Sequence, residues 1–332
     1  MRRRALERTT EGPRKDHGRT AEALERAVAL IKVGGELLES PPSVARLAQG
    51  IVRAAETSRV VVVHGGGRTI DAELALRGVA KRAVDGLRIT DEATLDVVVS
   101  VLAGLMNTRL VAAIGAAGGR AVGLTGADAG IGLCEQAPPH RSASGAVVDL
   151  GLVGRPAATP SPALLTDLCA KGYIPVVASI GAGADGRLFN VNADTWASHL
   201  ASALGARRLL ILGATPGVLD GSGRTLPVVE IDGIDDLVAD GSVSAGMIAK
   251  LDACRSAWRA GVRDIRIVDG RGPAGFEMAP ATRIVCGSKN RKSQSTGRTL
   301  RAASRKPESR NWTPEAGLRR GQAIPSRSRD GS

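Results

Sequence analysis

Aromatic residues are scarce in this chain of 332 residues, with three Trp, one Tyr and two Phe making up 2% of it. Proteins that hold single-stranded nucleic acid stack the bases on aromatic side chains, so the composition disfavours that function class. The core must be aliphatic, and a hydrophobic content of 43% is ample for one large or two modest domains. Glycine, in contrast, is abundant: there are 42 glycines, nearly twice the usual share of about 7%.

Neither a disulfide framework nor a membrane span is indicated. The four cysteines (Cys134, Cys169, Cys254 and Cys286) lie more than thirty residues apart, so none has the spacing of a metal-binding or redox pair. No uncharged apolar run approaches the ~18 residues of a membrane span, and the first arginines are not followed by the apolar stretch of a signal peptide. We therefore expect reduced thiols in a cytoplasmic protein without a membrane partner.

The net charge of +12 comes entirely from the two ends of the chain. Residues 1–27 contain eight basic and five acidic residues, and residues 288–332 contain twelve and three, which leaves 25 of each sign in 28–287. Both ends are poor in large apolar residues, so we predict a basic, partly helical N-terminal extension at 1–27 and a disordered basic tail at 288–332. A basic arm for nucleic acid remains the less favoured alternative.

Short aliphatic runs alternate with helical patterns between these ends, which is typical of an α/β protein with a parallel sheet. The strands are predicted at 29–33, 59–63, 120–124, 174–178, 207–212 and 264–268. The helices are predicted at 43–56, 68–77, 91–114, 162–171, 193–204 and 244–260, with Ser43 and Thr90 at two of the starts. The Gly-, Ala- and Pro-rich stretch 126–158 predicts a surface hairpin or flap.

Two glycine clusters follow predicted strands: Gly34-Gly35 and the run 65–67, which follows His64. At the carboxyl edge of a parallel sheet, backbone N–H groups of such loops can hold phosphate oxygens, although a glycine pair is more often a tight turn. Neither cluster has the spacing of a P-loop or of a dinucleotide-binding motif. Lys32, inside an apolar strand, favours an anionic site, because a buried ammonium is costly without a partner.

Polar residues later in the chain have simpler explanations when each is taken alone. Asn192 suits the N-cap of the helix that follows it, and Asp194 suits the first turn of that helix. Capping leaves Asn190 unexplained. Lys250 could be an ordinary exposed helical lysine.

The order of these pieces is more specific than any one of them. The chain reads KVGG from Lys32, HGGGRTID from His64, GLRIT from Gly86, NVNAD from Asn190, then PGVLD and finally GMIAK, which ends at Lys250. This arrangement resembles the amino acid kinase family over about 29–285, and within it the acetylglutamate kinases. The resemblance implies an open three-layer α/β fold with helices on both faces of a mostly parallel sheet. It also implies an acceptor-binding N-lobe at about 28–180 and a nucleotide-binding C-lobe at about 181–287.

The resemblance further implies ATP-dependent phosphorylation of the γ-carboxylate of N-acetyl-L-glutamate to an acyl phosphate, the second step of arginine biosynthesis. Magnesium would arrive with ATP, and no metal-binding residues of the protein's own are expected. The implied catalytic residues are Lys32, Lys250, Asp194 and Gly35. The implied substrate-binding residues are Gly66, Gly67, Arg88 and Asn190. The implied nucleotide-binding residues are Thr215, Gly217, Val218 and Leu219. His64 is assigned a structural role.

One departure from the family pattern keeps other functions open. Ala214 stands where members of the family usually carry an aspartate near the nucleotide, which puts ATP affinity in doubt. The alternatives are a kinase for a related acyl amino acid of the aminoadipate type and a non-catalytic homologue that binds a nucleotide or an amino acid. The strand motif, which runs directly into Glu36-Leu37, is similar to that of arginine-insensitive members. We therefore predict a homodimer built on the helix at 91–114, without feedback inhibition.

Overall fold

A computed structural model describes residues 27–157, 161–272 and 275–287 of the chain. These residues belong to one structural unit. The predictions for the basic tail, and for all of the N-terminal extension except Ala27, lie outside the described residues. The division into two lobes remains a prediction.

The secondary structure alternates strands and helices along the described ranges. The strands are β1 (Val28–Val33), β2 (Arg59–His64), β3 (Ala83–Val84), β4 (Leu87–Arg88), β5 (Ala121–Thr125), β6 (Cys134–Gln136), β7 (His140–Arg141), β8 (Val147–Val148), β9 (Gly154–Pro156), β10 (Ile174–Ala178), β11 (Ile180–Ala182), β12 (Leu188–Asn190), β13 (Arg208–Gly213), β14 (Val228–Glu230), β15 (Asp264–Asp269) and β16 (Ala281–Val285). The helices are α1 (Pro41–Thr57), α2 (Gly67–Leu76), α3 (Glu92–Ala116), α4 (Ala163–Ala170), α5 (Ala193–Ala203), α6 (Ile234–Ala239) and α7 (Ala245–Arg259). A 3₁₀ turn, Gly35–Leu38, follows β1 directly.

Eight strands form the central sheet in the order β14-β16-β15-β13-β1-β2-β10-β5. All neighbouring strands are parallel except β15 and β16. Since side chains alternate along a strand, Leu30 of β1 packs into a cluster with Leu200 of α5, and Ile31 packs into a second cluster with Ile51 of α1 on the opposite face. Helices therefore cover both faces of a mostly parallel sheet, and the predicted three-layer fold is confirmed.

The six predicted strands and six predicted helices are all present, and their ends coincide with the predicted ends or differ by one or two residues. The two predicted helix starts are wrong. Ser40 and Asp91 are the N-caps, and their side chains accept hydrogen bonds from the N–H groups of Ser43 and Thr94 at 3.4 and 2.8 Å. The first helix begins early because prolines are favoured in the first helical turn, where their missing N–H has no partner to lose.

Two further predictions concern surface elements. The stretch 126–158 contains two antiparallel strand pairs, β6 with β9 and β7 with β8, so the predicted hairpin is confirmed within the described residues. Helix α3 is long and apolar enough to cross a membrane by length and composition alone. Its residues Val98, Leu110 and Ile114 are fully buried against the domain, which accounts for much of that composition.

Candidate active site

The candidate site lies where β1, β2, β10 and β13 end, at the carboxyl edge of the sheet. The loops after β1 and β2 touch through their backbones: a Cβ built on Gly35 would lie 2.6 Å from the Cα of Gly66. A Cβ on Gly66 would in turn lie 2.3 Å from Sδ of Met106 in α3. At Gly35 the contact is with backbone, so only glycine fits there, whereas a side chain at Gly66 would displace Met106 and Leu102. The two glycine loops are thus brought together as the sequence predicts for a backbone cradle.

Lys32 and Asp194 form a buried ion pair at the centre of this edge. Their side chains are 6% and 9% exposed, and Lys32 Nζ lies 2.8 Å from Asp194 Oδ1. Asp194 is fixed by the start of α5, where the Asn192 side chain accepts hydrogen bonds from the N–H groups of Asp194 and Thr195 at 2.9 and 3.1 Å. Because removal of one member of a buried pair leaves an uncompensated charge, each charge holds the other in place.

Lys250 approaches the same region from α7. Its ammonium donates a hydrogen bond to the carbonyl of Gly246 at 3.1 Å. Burial lowers the pKa of Lys250, and the positive charge of Lys32 lowers it further, whereas the carboxylates of Asp194 and Glu36 act in the opposite direction. Lys250 is therefore within electrostatic range of both members of the Lys32–Asp194 pair, although it comes from the opposite end of the sequence.

A first cavity of about 240 Å³ opens beside the glycine loops, and we call it the acceptor cavity. It is lined by Lys32, Gly34, Gly35, Glu36, Gly65, Gly66, Gly67, Ile70, Gly86, Leu87, Arg88, Leu102, Val153, Ser179, Asn190, Val191, Asn192, Ala193 and Asp194. All four predicted substrate-binding residues are among them. So are three of the four predicted catalytic residues, and the fourth, Lys250, lines the neighbouring cavity.

Arg88 is held at the rim of the acceptor cavity by the carboxylate of Asp71, which accepts a hydrogen bond from Nη2. Burial tends to raise the pKa of Asp71, but hydrogen bonds from Lys81 and Arg88 outweigh it and hold that pKa below its usual value. Nη1 of Arg88 is buried and has no hydrogen-bond partner in the described part of the chain. On the other side of the cavity, Asn190 donates a hydrogen bond to Thr90 Oγ1 at 3.2 Å.

A second cavity of about 340 Å³ lies next to the acceptor cavity, and we call it the nucleotide cavity after the prediction for this region. It is lined by Glu36, Gly67, Arg68, Gly213, Ala214, Thr215, Ser244, Gly246, Met247 and Lys250. Of the predicted nucleotide-binding residues, Thr215 is in this lining and Gly217, Val218 and Leu219 are not. Glu36 and Gly67 line both cavities, so the two spaces adjoin at these residues.

Gly217 and Val218 shape the turn that follows β13. Gly217 has a φ of +134°, and a Cβ there would lie 2.4 Å from Thr282 Oγ1 of β16. The N–H of Val218 donates to the same hydroxyl oxygen at 2.8 Å, and this hydroxyl donates to the carbonyl of Leu226 at 2.6 Å. The described contacts of these residues are structural, and their predicted contact with a nucleotide remains a prediction.

His64, the last residue of β2, is completely buried. Its Nε2 lies 3.1 Å from the side-chain nitrogen of Asn107 in α3, which also donates to the carbonyl of Val176 at 2.8 Å. With Asn107 as the donor, Nε2 accepts and Nδ1 carries the proton, which points to the carbonyl of Gly65 at 3.3 Å. Burial lowers the pKa of His64 to about 4, so the ring is neutral at pH 7. This geometry supports the structural role that the sequence suggests.

Several lining residues were missed in the sequence. Ser179 follows β10 directly, and Glu36 follows the glycine pair after β1, so the rule that ligands bind at the carboxyl edge would have found both. Arg68 and Ser244 carry no comparable signal. Among the described residues, no group of three or more His, Cys, Asp or Glu side chains is placed to hold a metal ion. The ion of a metal–nucleotide complex would therefore take most of its ligands from phosphate oxygens and water.

Comparisons with known proteins agree with this geometry. The model of the amino acid kinase family matches residues 27–269. The acetylglutamate kinase of Dinoroseobacter shibae is 41% identical over 248 residues, which cover 74% of this chain and 83% of that protein. The acetylglutamate kinase of Sphingopyxis alaskensis is 43% identical over 249 residues, which cover 74% and 82%.

Among solved structures, carbamate kinase from Giardia is 16% identical, with a TM-score of 0.56, over 79% of this chain and 100% of that one. At this identity the likeness shows the fold alone. The predicted fold class and the predicted family are both confirmed. Since the family model matches well over half of the length of the chain, the chain belongs to the amino acid kinase family.

Proposed function

We propose that this protein transfers the γ-phosphoryl group of ATP to the γ-carboxylate of N-acetyl-L-glutamate, the second step of arginine biosynthesis. The curated relatives named above support this activity, which the sequence motifs also predict. The observation that carries the proposal is the convergence of Lys32, Asp194 and Lys250 where two adjoining cavities meet. One cavity would hold each substrate.

The chemistry needs positive charge rather than a base. A glutamate side chain with a pKa near 4.3 is already ionised at pH 7, so no proton has to be removed. A γ-carboxylate oxygen attacks the γ-phosphorus, the bond from phosphorus to the β–γ bridging oxygen breaks, and ADP leaves with that electron pair. The obstacle is repulsion between two anions. Lys32 and Lys250 would stabilise the charge on the transferred group, with N–H groups of Gly35 and Gly66 as further donors.

The acceptor cavity offers a partner for each polar end of N-acetyl-L-glutamate. Arg88 would bind the α-carboxylate, and its unpartnered Nη1 is a donor that such a ligand would satisfy. Asn190 would hydrogen-bond the acetamido group, and the N–H groups of Gly66 and Gly67 would hold the γ-carboxylate near Lys32. The nucleotide would lie against Thr215 and Lys250, with magnesium bound to its phosphates.

A hydroxamate assay tests this function and separates it from the two alternatives. Hydroxylamine traps an acyl phosphate, so purified protein with ATP and Mg²⁺ should give a hydroxamate with N-acetyl-L-glutamate. A signal obtained only with an aminoadipate derivative would favour the related kinase. Failure with every acceptor, together with retained binding of a non-hydrolysable ATP analogue, would favour the non-catalytic homologue. The same assay with millimolar arginine tests the predicted lack of feedback inhibition.

We also propose a cytoplasmic homodimer joined through α3. In the single chain, 44% of the most apolar window of this helix is buried, and Leu105 in its middle is 37% exposed. Apolar surface left open on a core helix is typical of a subunit interface. Light scattering should give twice the mass of one chain, and a hexamer or monomer mass would contradict this assembly.

A further inference from the structure

Glu36 is the acidic residue at the junction of the two cavities. It lies in the 3₁₀ turn after β1, and its side chain folds back over Gly34: a Cβ built on Gly34 would lie 2.5 and 2.6 Å from the two carboxylate oxygens. Oε1 accepts a hydrogen bond from the N–H of Ala214, 178 residues away, at 3.2 Å. The carboxylate therefore lies over the end of β13, in the lining of both cavities.

Among the described residues, no cation neutralises this carboxylate directly. In the described ranges, no lysine, arginine or histidine nitrogen lies within 4.0 Å of it. Lys250 is close enough for the charge of Glu36 to oppose the lowering of the pKa of that lysine. The hydrogen bond from Ala214 comes from a neutral amide, so it adds no positive charge at the place where nucleotide phosphates would meet the acceptor.

Phosphate groups beside an unpaired carboxylate repel it strongly unless a cation lies between them. Mg²⁺ meets this need, because it is typically bound by one or two protein carboxylates together with substrate phosphates and water. Asp194, the other carboxylate near the lysines, is already paired with Lys32 at 2.8 Å. Glu36 is thus the carboxylate of this site that is not paired with a described cation.

We propose that Glu36 is a protein ligand, direct or through one water, of the magnesium ion that enters with ATP; this rests on the proposed use of ATP. The carboxylate then has opposite effects on nucleotide affinity in the presence and in the absence of the metal ion. With metal present it binds the ion and strengthens nucleotide binding. Without metal it repels the phosphates and weakens binding.

Calorimetric titration of adenylyl imidodiphosphate, a non-hydrolysable ATP analogue, into the full-length protein tests this reversal. For Glu36→Gln, affinity with Mg²⁺ should fall about tenfold or more, which is the effect of losing a supporting group at a metal site. In EDTA the same variant should bind the analogue as well as or better than the unmodified protein. Glu135→Gln removes the same charge from an exposed residue of β6 outside both cavities and should change neither affinity.

Manganese gives a second measurement that does not depend on activity. The electron paramagnetic resonance spectrum of Mn²⁺ bound with the analogue should differ between the unmodified protein and Glu36→Gln, because one ligand environment is lost. Equal strengthening of binding with and without metal, or no change in either, would overturn the role of Glu36. Failure of the unmodified protein to bind the analogue with Mg²⁺ would instead contradict the proposed use of ATP.

Discussion

Acid should destabilise this protein through His64 well before its carboxylates become protonated. The ring is completely buried, and its pKa in the folded protein is about 4, against 6.5 for an unperturbed histidine. The unfolded chain therefore binds a proton at His64 at a higher pH than the folded one. The stability contributed by the neutral ring is fully present above pH 6.5 and is lost as the pH falls from 6.5 to about 4.

The size of this loss follows from the same two pKa values. The difference of about 2.5 units corresponds to about 3 kcal/mol when the loss is complete, since one unit is worth 1.36 kcal/mol. At pH 5 the loss should already be about 2 kcal/mol. A change of this size is a large part of the 5–15 kcal/mol that is typical of folded domains.

Urea unfolding at pH 7.5 and pH 5.0 measures the effect, with far-UV circular dichroism and tryptophan fluorescence as two probes whose transitions should coincide. The control is His64→Asn, which keeps an amide toward Asn107 and cannot titrate. Other groups contribute equally to both proteins, so the unmodified protein should lose about 2 kcal/mol more than the variant between the two pH values. Equal losses would refute the reasoning.

Three further perturbations follow from the contacts of the site and its support. Lys32→Ala and Lys250→Ala should each lower kcat in the hydroxamate assay at least ~10²-fold, because each removes charge directed at the transferred group, and near-normal turnover would contradict the mechanism. Arg88→Ala should raise KM for N-acetyl-L-glutamate about 10- to 100-fold, the loss expected for a hydrogen bond to a charged group, and leave KM for ATP unchanged; the reverse would exchange the two subsites. Gly217→Ala should lower the free energy of unfolding by about 2–3 kcal/mol, because φ is +134° and the new Cβ would meet Thr282 at 2.4 Å. The control Gly221→Ala should be nearly neutral, since a Cβ there has nothing within 4 Å. Equal urea midpoints for the two variants would contradict the predicted backbone strain at Gly217.

The sheet could be predicted because most of its strands are short aliphatic runs with buried residues, and most are followed by a helical pattern. Strand β16 was missed: Arg283 interrupts its apolar pattern, and its partner β15 runs antiparallel to it. The residues that line the cavities also fall into those that the sequence predicts and those that it does not. Glycines after strands are visible in sequence, whereas the position of the Glu36 carboxylate depends on a hydrogen bond to an amide 178 residues away.

The turn after β13 shows a second reason why sequence patterns are incomplete. Its PGVLD motif matches the family, and this match is what suggests nucleotide contact for Gly217, Val218 and Leu219. In the structure, Thr282 Oγ1 accepts the hydrogen bond from Val218, and Val218 itself is fully buried. The preceding residues Ala214 and Thr215 line the nucleotide cavity, and contact of Gly217, Val218 and Leu219 with a nucleotide remains a prediction.

The charges of the site are balanced before any substrate is bound. The two lysines, Lys32 and Lys250, face two carboxylates, Asp194 and Glu36. Lys32 already forms an ion pair with Asp194 at 2.8 Å. Such compensation lets the fold tolerate partly buried lysines, but it leaves little net positive charge for two anionic substrates. In the proposed reaction the additional positive charge would enter with the nucleotide. The carboxylate of Glu36 lines both cavities, where an entering cation would find both phosphate and carboxylate oxygens. The balance of this site is therefore consistent with the proposed reaction, in which a divalent ion would accompany the nucleotide.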